Sequence, residues 1–434
     1  MAAGHSAAFR GIPATVAYDE RVPPTKQPLT TKQVYRRRRI AVFGGVALVL
    51  AAGFYAPLTL LAPAPTSEPT AIPYSAIGPV TPVLSFPSYG AAGIGAVGYD
   101  GVLARSGTED ALPIASITKV ITALVVLDAH PLAPGEPGPT ATFTATDEQF
   151  YAEQVAQDGI VAPVAAGQTM SERNMLDLAL MASANNYAQS AAAWAFGTEG
   201  AYVEAAGAWL AGNGLTGTTI TDATGIQPTN TSTVTDLIAI AKLALDNPVV
   251  AEIAATTVVD IPGIGVVENR NGLLGIDGVD GIKTGTLDES GACLLFSADH
   301  EIAGETVTLV GVVLGGPDHD TINTAIRGLL AEVDSGFRTV ELATAGQVFG
   351  SYTTPWGDAS NVVAAEGSSL LAWSELPVTA QIDLAGIQVA AKGTPVGSVT
   401  FSVGERTTVV PLVLEESIDD PGPWWRLGNP GELF

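Results

Sequence analysis

Cysteine is almost missing from this chain. Cys293 is the only one among 434 residues, which excludes an internal disulfide. It lies in an apolar, strand-like run just past Gly285 and reads as a buried structural thiol rather than a nucleophile. Positive charge is also scarce. Nineteen Lys and Arg stand against 44 Asp and Glu, for a net charge of −25. The imbalance is uneven along the chain. Residues 1–39 carry Arg10, Arg21, Lys26, Lys32 and Arg36 through Arg39 against Asp19 and Glu20, a local charge of +6, and everything beyond carries −31. Such a body is expected to avoid nucleic acid and to be repelled by anionic surfaces at close range. Between residues 88 and 345 there are only three lysines: Lys119, Lys242 and Lys283. What the chain has in quantity is apolar material: 47% hydrophobic residues against 15% charged, enough for a large core and two domains.

Ile40 to Ala62 forms a 23-residue stretch without a charge. At about 1.5 Å per residue it spans the ~30 Å hydrocarbon layer of a bilayer. Arg36, Arg37, Arg38 and Arg39 directly precede it, so the positive-inside rule puts the N-terminus in the cytoplasm. The other reading is a cleaved signal peptide with a small-residue site near Ala62-Pro63-Ala64; a 39-residue leader is long for that class, which favours a retained anchor. Under either reading the acidic body is expected outside the cytoplasm. Pro63, Pro65, Pro69, Pro73, Pro79, Pro82 and Pro87 then mark an extended tether.

Ala91 to Arg105 reads as a hairpin turning at Asp100-Gly101. Apolar spacing predicts a helix beginning at or near Ser116 and a second from Glu172 to Met181 capped by Ser171. Thr233 with Asp236 predicts a capping box opening Leu237 to Leu245, which Asn247-Pro248 closes. Ala292–Ala298 and Glu305–Leu314 predict an antiparallel hairpin, and Thr321–Val333 a helix. From about Gly346 short strands follow one another, as in a small all-β domain. Trp424 and Trp425 could serve as interfacial anchors, but packing against that domain is the favoured expectation, since Pro421, Pro423 and Pro430 disfavour an amphipathic helix around them.

Three short motifs fall in order: Ser116-Ile117-Thr118-Lys119, Ser183-Ala184-Asn185 and Lys283-Thr284-Gly285. Each is weak alone; the order and the spacings of 67 and 100 residues give them weight. A serine hydroxyl is a poor nucleophile until a base takes its proton. Ser116 and Lys119, three apart on a helix, share a face, so Lys119 can be that base once burial or a nearby cation such as Lys283 favours its neutral form. Ser183 would relay a proton to the leaving amine, and Asn185 would orient Lys119 and hold the substrate amide. Gly285 leaves the strand edge open for a peptide, while Lys283 and Thr284 can bind a terminal carboxylate. The N–H groups of Ser116 and Thr286 are candidates for an oxyanion hole. Two of the three lysines of this region thus fall inside the motifs; Lys242 reads as a solvated helix residue.

With these motifs the chain resembles the low-molecular-mass penicillin-binding proteins, the D-alanyl-D-alanine carboxypeptidase family, from about residue 85 to about 417. Thr122-Ala123-Leu124 after the first motif, Asp222-Ala223-Thr224-Gly225-Ile226, and Asn269-Arg270-Asn271 with Gly278-Val279-Asp280-Gly281-Ile282 before Lys283 extend the likeness. The resemblance implies an α+β fold, β-lactamase/DD-peptidase-like, with an antiparallel sheet between helices and then a small β-sandwich domain. It implies attack by Ser116 on peptidoglycan stem peptides ending in D-Ala-D-Ala, hydrolysis of the acyl-enzyme, and acylation of the same serine by β-lactams. No metal or cofactor is expected. The implied organisation is a basic cytoplasmic arm at 1–39, an anchor in the cytoplasmic membrane at 40–62, a linker at 63–87, a catalytic domain at 88–340, a β-domain at 341–417 and a tail at 418–434. Two departures stand out. Ala184 replaces a common glycine, and Pro317-Asp318-His319 follows Gly315-Gly316 where an arginine often helps bind the carboxylate, leaving that task to Lys283 and Thr284. His319 is the nearest alternative donor, though a lone loop histidine is more often solvated. A class A-type β-lactamase uses the same motifs but needs a carboxylate to activate water, and no Glu occurs between Gly207 and Ala251. A non-catalytic cell-wall binding protein that kept the fold is the remaining alternative, with Pro317 its best support.

Overall fold

The computed structural model describes residues 30–75 and 77–434. Arg10, Arg21 and Lys26 of the basic arm lie outside the described residues. The chain forms two compact units, one joining the segment up to Pro65 with Asp420–Phe434, the other running from Thr66 to Asp419.

In the first unit, α1 spans Thr31–Leu61. Thr30 caps it, its N–H accepted by the Gln33 side chain at 3.0 Å. It is long and apolar enough to cross a membrane and is exposed along most of its length.

The second unit is built on a five-stranded antiparallel sheet. Its strands are β1 (Ala91–Ala96), β2 (Ala104–Gly107), β3 (Val279–Leu287), β4 (Gly291–Ile302) and β5 (Glu305–Gly316), in the order β3-β4-β5-β1-β2. The run in β4 is continuously apolar because both faces of the sheet are covered. Cys293 and Leu295 enter a core shared with helices α2 (Thr118–Ala129), α3 (Glu172–Leu180), α4 (Asn185–Phe196) and α5 (Val234–Asp246). Leu294 and Phe296 enter the opposite core with Ile322, Ile326 and Leu329 of α6 (His319–Val333). The alternation follows the two-residue period of a strand.

Local signals were sound with shifts at the ends. Ser171 caps α3 by accepting from Asn174 N at 3.3 Å. Thr233 caps α5 by accepting from Asp236 N at 3.1 Å, but the box does not close. The Asp236 carboxylate instead accepts from Gly217 N at 2.8 Å and Thr218 Oγ1 at 2.7 Å, tying an upstream loop to the helix. Helix α6 starts two residues before the expected Thr321 because Asp318 caps it, accepting from Thr321 N at 2.7 Å.

The C-terminal sheet orders β6 (Val348–Thr353), β7 (Ala359–Ala364), β10 (Pro395–Val403) with β11 (Arg406–Leu414) and β9 (Thr379–Leu384) as β6-β7-β11-β10-β9. A second layer pairs Phe337–Ala343 with β8 (Ser368–Trp373). Strand Phe337–Ala343 crosses the expected boundary at 340/341. Phe337 packs with Trp373 in the catalytic-side core, while Val340 and Leu342 enter the β-domain core. The expected free tether is also corrected. Thr70–Ala71 adds a sixth strand beside β6, and Ser67 and Ile77 bridge to Ile387 and Val378. The prolines keep the segment extended, and the N–H groups between them remain free to pair, Ser67 N to Ile387 O at 2.7 Å and Ile72 N to Phe349 O at 2.9 Å.

Candidate active site

Ser116 lies in a single 3-10 turn, Ala115–Ile117, that runs directly into α2. Ala115 has φ 47° and Ser183 has φ 60°, left-handed values that non-glycine residues adopt at about 1–3 kcal/mol each. The two serines of interest are thus held at backbone turns that the surrounding packing must enforce. Gly225 is part of that enforcement. Its φ is +82°, and a Cβ there would lie 1.9 Å from the Ala115 carbonyl oxygen. Gly285 on β3 has the same role from the other side, since a Cβ would come within 3.0 Å of Ile114 O and 3.2 Å of Ser116 N. Strand β3 therefore runs against the turn, bringing the Ser116 N–H beside the segment that carries Thr286.

Lys119 is fully buried, with Nζ 2.9 Å from Ser116 Oγ and donating to the Thr224 carbonyl at 2.7 Å. Burial lowers its pKa to about 7, with the Asp222 carboxylate opposing. A neutral amine in this position spends an N–H on Thr224 and turns its lone pair toward the serine hydroxyl. Lys283, also buried, donates to Ser183 Oγ at 3.0 Å and to the Thr284 carbonyl at 3.0 Å. Its pKa is held well below the usual lysine range, by burial first and then by the charges of Lys119 and Arg270. The motif lysines therefore sit in two lysine–serine couples at one place, and each lysine has been pushed toward its neutral form.

Asn185 departs from expectation. Its amide donates to Gln154 Oε1 at 2.7 Å rather than reaching Lys119. Gln154 in turn donates to Gln189 at 3.0 Å, so the amide is fixed from below by a buried chain of amides. The partner that orients Lys119 is a backbone carbonyl, and Asp222 fixes it. Asp222 Oδ1 accepts from Thr224 N at 2.6 Å, Thr224 Oγ1 at 2.8 Å and Gly225 N at 2.7 Å. Its Oδ2 accepts from Asn230 Nδ2 at 2.6 Å and Gln227 N at 3.1 Å. A carboxylate with five donors has no lone pair left to activate water, which removes Asp222 as the base a class A-type β-lactamase would require.

Thr286 Oγ1 and His319 Nε2 lie 2.8 Å apart, so His319 is not a solvated loop residue. It is the first residue of α6, and register explains its reach. Thr286 and Gly316 both pair with Ala292 from opposite sides of β4, and His319 follows Gly316 by three residues. Burial, Lys283 and Arg270 lower its pKa, against Asp318 and Asp320. Arg270, quoted above only for its likeness, thus lies near enough to Lys283 and His319 to act on both. The local signal for it was a cation in the loop before β3. Gln154 and the Thr224 carbonyl left no such trace. Cys293 is buried and its pKa is raised by burial, as an inert thiol requires.

The family model for D-alanyl-D-alanine carboxypeptidase matches residues 98–318, half of the chain. The chain belongs to this family of serine peptidases. A D-alanyl-D-alanine endopeptidase from Pseudomonas aeruginosa is 34% identical over 145 residues, covering 33% of this chain and 44% of that protein. The Escherichia coli protein of the same name is 31% identical over 144 residues, 33% of this chain and 43% of the other. The aligned stretch thus spans under half the length of these relatives. Among solved structures, penicillin binding protein 5 from Haemophilus influenzae has a TM-score of 0.55 at 21% identity, covering 79% of this chain and all of the other. A peptidoglycan synthesis regulatory factor (PBP3) from Streptococcus pneumoniae has a TM-score of 0.57 at 20% identity, covering 76% and 99%. These two likenesses establish the shared fold, including the C-terminal β-domain.

Proposed function

We propose that the chain is a membrane-anchored serine-type D-Ala-D-Ala carboxypeptidase acting on peptidoglycan stem peptides outside the cytoplasm. The observation that carries this reading is the buried, near-neutral Lys119 at 2.9 Å from Ser116 Oγ beside a second couple, Lys283 and Ser183. Ser116 Oγ attacks the carbonyl carbon of the penultimate D-alanine while Lys119 takes its proton. The N–H groups of Ser116 and Thr286 receive the oxyanion. As the C–N bond breaks, Ser183 passes a proton to the departing D-alanine amine and takes one from Lys283, whose Nζ lies 3.0 Å from its hydroxyl; the proton gained by Lys119 balances the one Lys283 gives up. Water then cleaves the ester and restores Ser116. Asn185, fixed through Gln154, holds the substrate amide, and Gly285 leaves the β3 edge free for the peptide backbone. Lys283, Thr284 and the nearby Arg270 attract the terminal carboxylate. β-Lactams, carrying a strained amide and a carboxylate, acylate the same serine.

Intact mass after exposure to a fluorescent penicillin, beside Ser116→Ala, tests the reading. A lasting adduct confined to the parent protein is expected, and no adduct in a folded parent overturns it. The names of the two sequence relatives favour a second reading, cleavage of cross-links as an endopeptidase. Free D-alanine released from an uncross-linked pentapeptide supports the first reading; conversion of cross-linked dimers without free D-alanine supports the second.

A further inference from the structure

The last residues of the chain do not trail away. Gly422–Gly428 forms a short helix, α7, despite Pro423, because proline is tolerated in a first turn. Helix α7 packs on α1 within the first unit. Tyr55 of α1 donates its hydroxyl to the Leu427 carbonyl at 2.6 Å. Arg426, only 7% exposed, donates Nη1 to the Ala62 carbonyl and pairs with Asp420. The last carbonyls of a helix lack intrahelical donors, and a cation there is favoured by the helix dipole. Arg426 therefore caps α1 from the far end of the chain. Around this contact apolar side chains stay open: Trp424 of α7 is 85% exposed, and Leu58 and Leu61 of α1 are also exposed.

Depth along α1 says what would meet Trp424. At about 1.5 Å per residue, Tyr55 lies about 22 Å beyond Ile40 and Ala62 about 33 Å beyond it, which brackets the far boundary of a ~30 Å hydrocarbon layer. With Arg36 through Arg39 at the cytoplasmic boundary, the α7 contact falls at the opposite headgroup level. An indole has an apolar body and one N–H, a combination enriched at that level. We propose that residues 420–434 form a membrane latch: α7 clasps the outer end of α1 through Arg426 and Tyr55 and seats Trp424 in the outer headgroup layer of the bilayer. The charges of the tail are mixed, Asp420, Arg426 and Glu432, so the expected partner is a lipid interface rather than an anionic lipid in particular. The latch rests on α1 being a retained anchor and is independent of the catalytic assignment.

The test uses the full chain carrying Trp424→Cys, labelled with an environment-sensitive fluorophore and reconstituted in phosphatidylcholine vesicles; buried Cys293 is shielded from the label. Blue-shifted emission, quenched more by a headgroup-level nitroxide lipid than by a mid-chain one, is expected, with a return toward the aqueous value when Arg426→Ala is added. Aqueous-like emission, or an Arg426→Ala variant that does not differ, overturns the latch, provided intact mass shows residues 1–62 still attached. Loss of those residues from the vesicle-bound protein overturns the anchor reading and the latch with it, and leaves the acylation result untouched.

Discussion

Replacing Lys119 with methionine should destroy acylation and yet stabilise the protein at acid and neutral pH. The lysine is fully buried, and its pKa falls from 10.5 to about 7. At about 1.4 kcal/mol for each tenfold change in proton affinity, that displacement corresponds to about 5 kcal/mol of opposition to folding. The sign follows from linkage. Between about pH 7 and 10.5 the unfolded chain binds the proton and the native protein does not, so stability rises with pH across that window. Below about 7 the opposition is complete; above 10.5 it has vanished. Methionine has a similar shape and no charge, but it leaves the Thr224 carbonyl without its donor at about 1–3 kcal/mol. The variant should therefore be about 2–4 kcal/mol more stable at pH 6 and slightly less stable at pH 10, with the order reversing near about pH 9. Urea unfolding of the compact unit Thr66–Asp419 at several pH values, followed by far-UV circular dichroism, reads this directly. Lys283 titrates in both proteins, so the difference between the curves isolates Lys119 and its repulsion with Lys283. Parallel curves across the whole range would refute the reasoning, because they would mean Lys119 keeps an ordinary proton affinity and is charged when it faces Ser116.

Gly225→Ala forces a Cβ to within 1.9 Å of the Ala115 carbonyl at φ +82°, so at least about 2 kcal/mol of stability and nearly all acylation should be lost, seen by thermal unfolding and penicillin labelling. Acylation by the parent protein should rise with pH through about 7 as Lys119 loses its proton. Asp222→Asn removes the charge that raises that pKa, so the midpoint should move to lower pH while the rate falls, since an amide places a donor against groups that already donate. His319→Gln should leave the midpoint in place, because His319 titrates below its ordinary range. Arg270→Ala should raise KM for a carboxylate-terminated substrate no more than about fivefold, as an exposed cation contributes at most about 1 kcal/mol.

What the sequence could show was the set of motif side chains that converge on the candidate site, because each must be a particular residue type. Ser116 and Lys119 needed only a helix to meet, and Lys283 needed only to reach the same pocket. The parts it could not show are those in which one group acts through another. Asn185 is an amide facing a site in sequence terms, yet the fold spends one end of it on Gln154, from a helix 31 residues upstream. The orienting partner of Lys119 is a peptide carbonyl, and every residue has one. Only the five bonds converging on Asp222 single out that of Thr224.

The same distinction explains the segments around the prolines. Composition predicts an extended chain at 63–87, which holds, and no helix around Trp424, which fails because Pro423 falls in the first turn of Gly422–Gly428, where proline is tolerated. Proline composition gives no information about free edges elsewhere, however. The edge of β6 takes up Thr70–Ala71, and the unfilled carbonyl of Ala62 takes up Arg426. In each case an orphaned backbone group at the end of one element decides where a distant segment binds. That requirement is physical, but it becomes visible only once the element that leaves the group unpaired has been built.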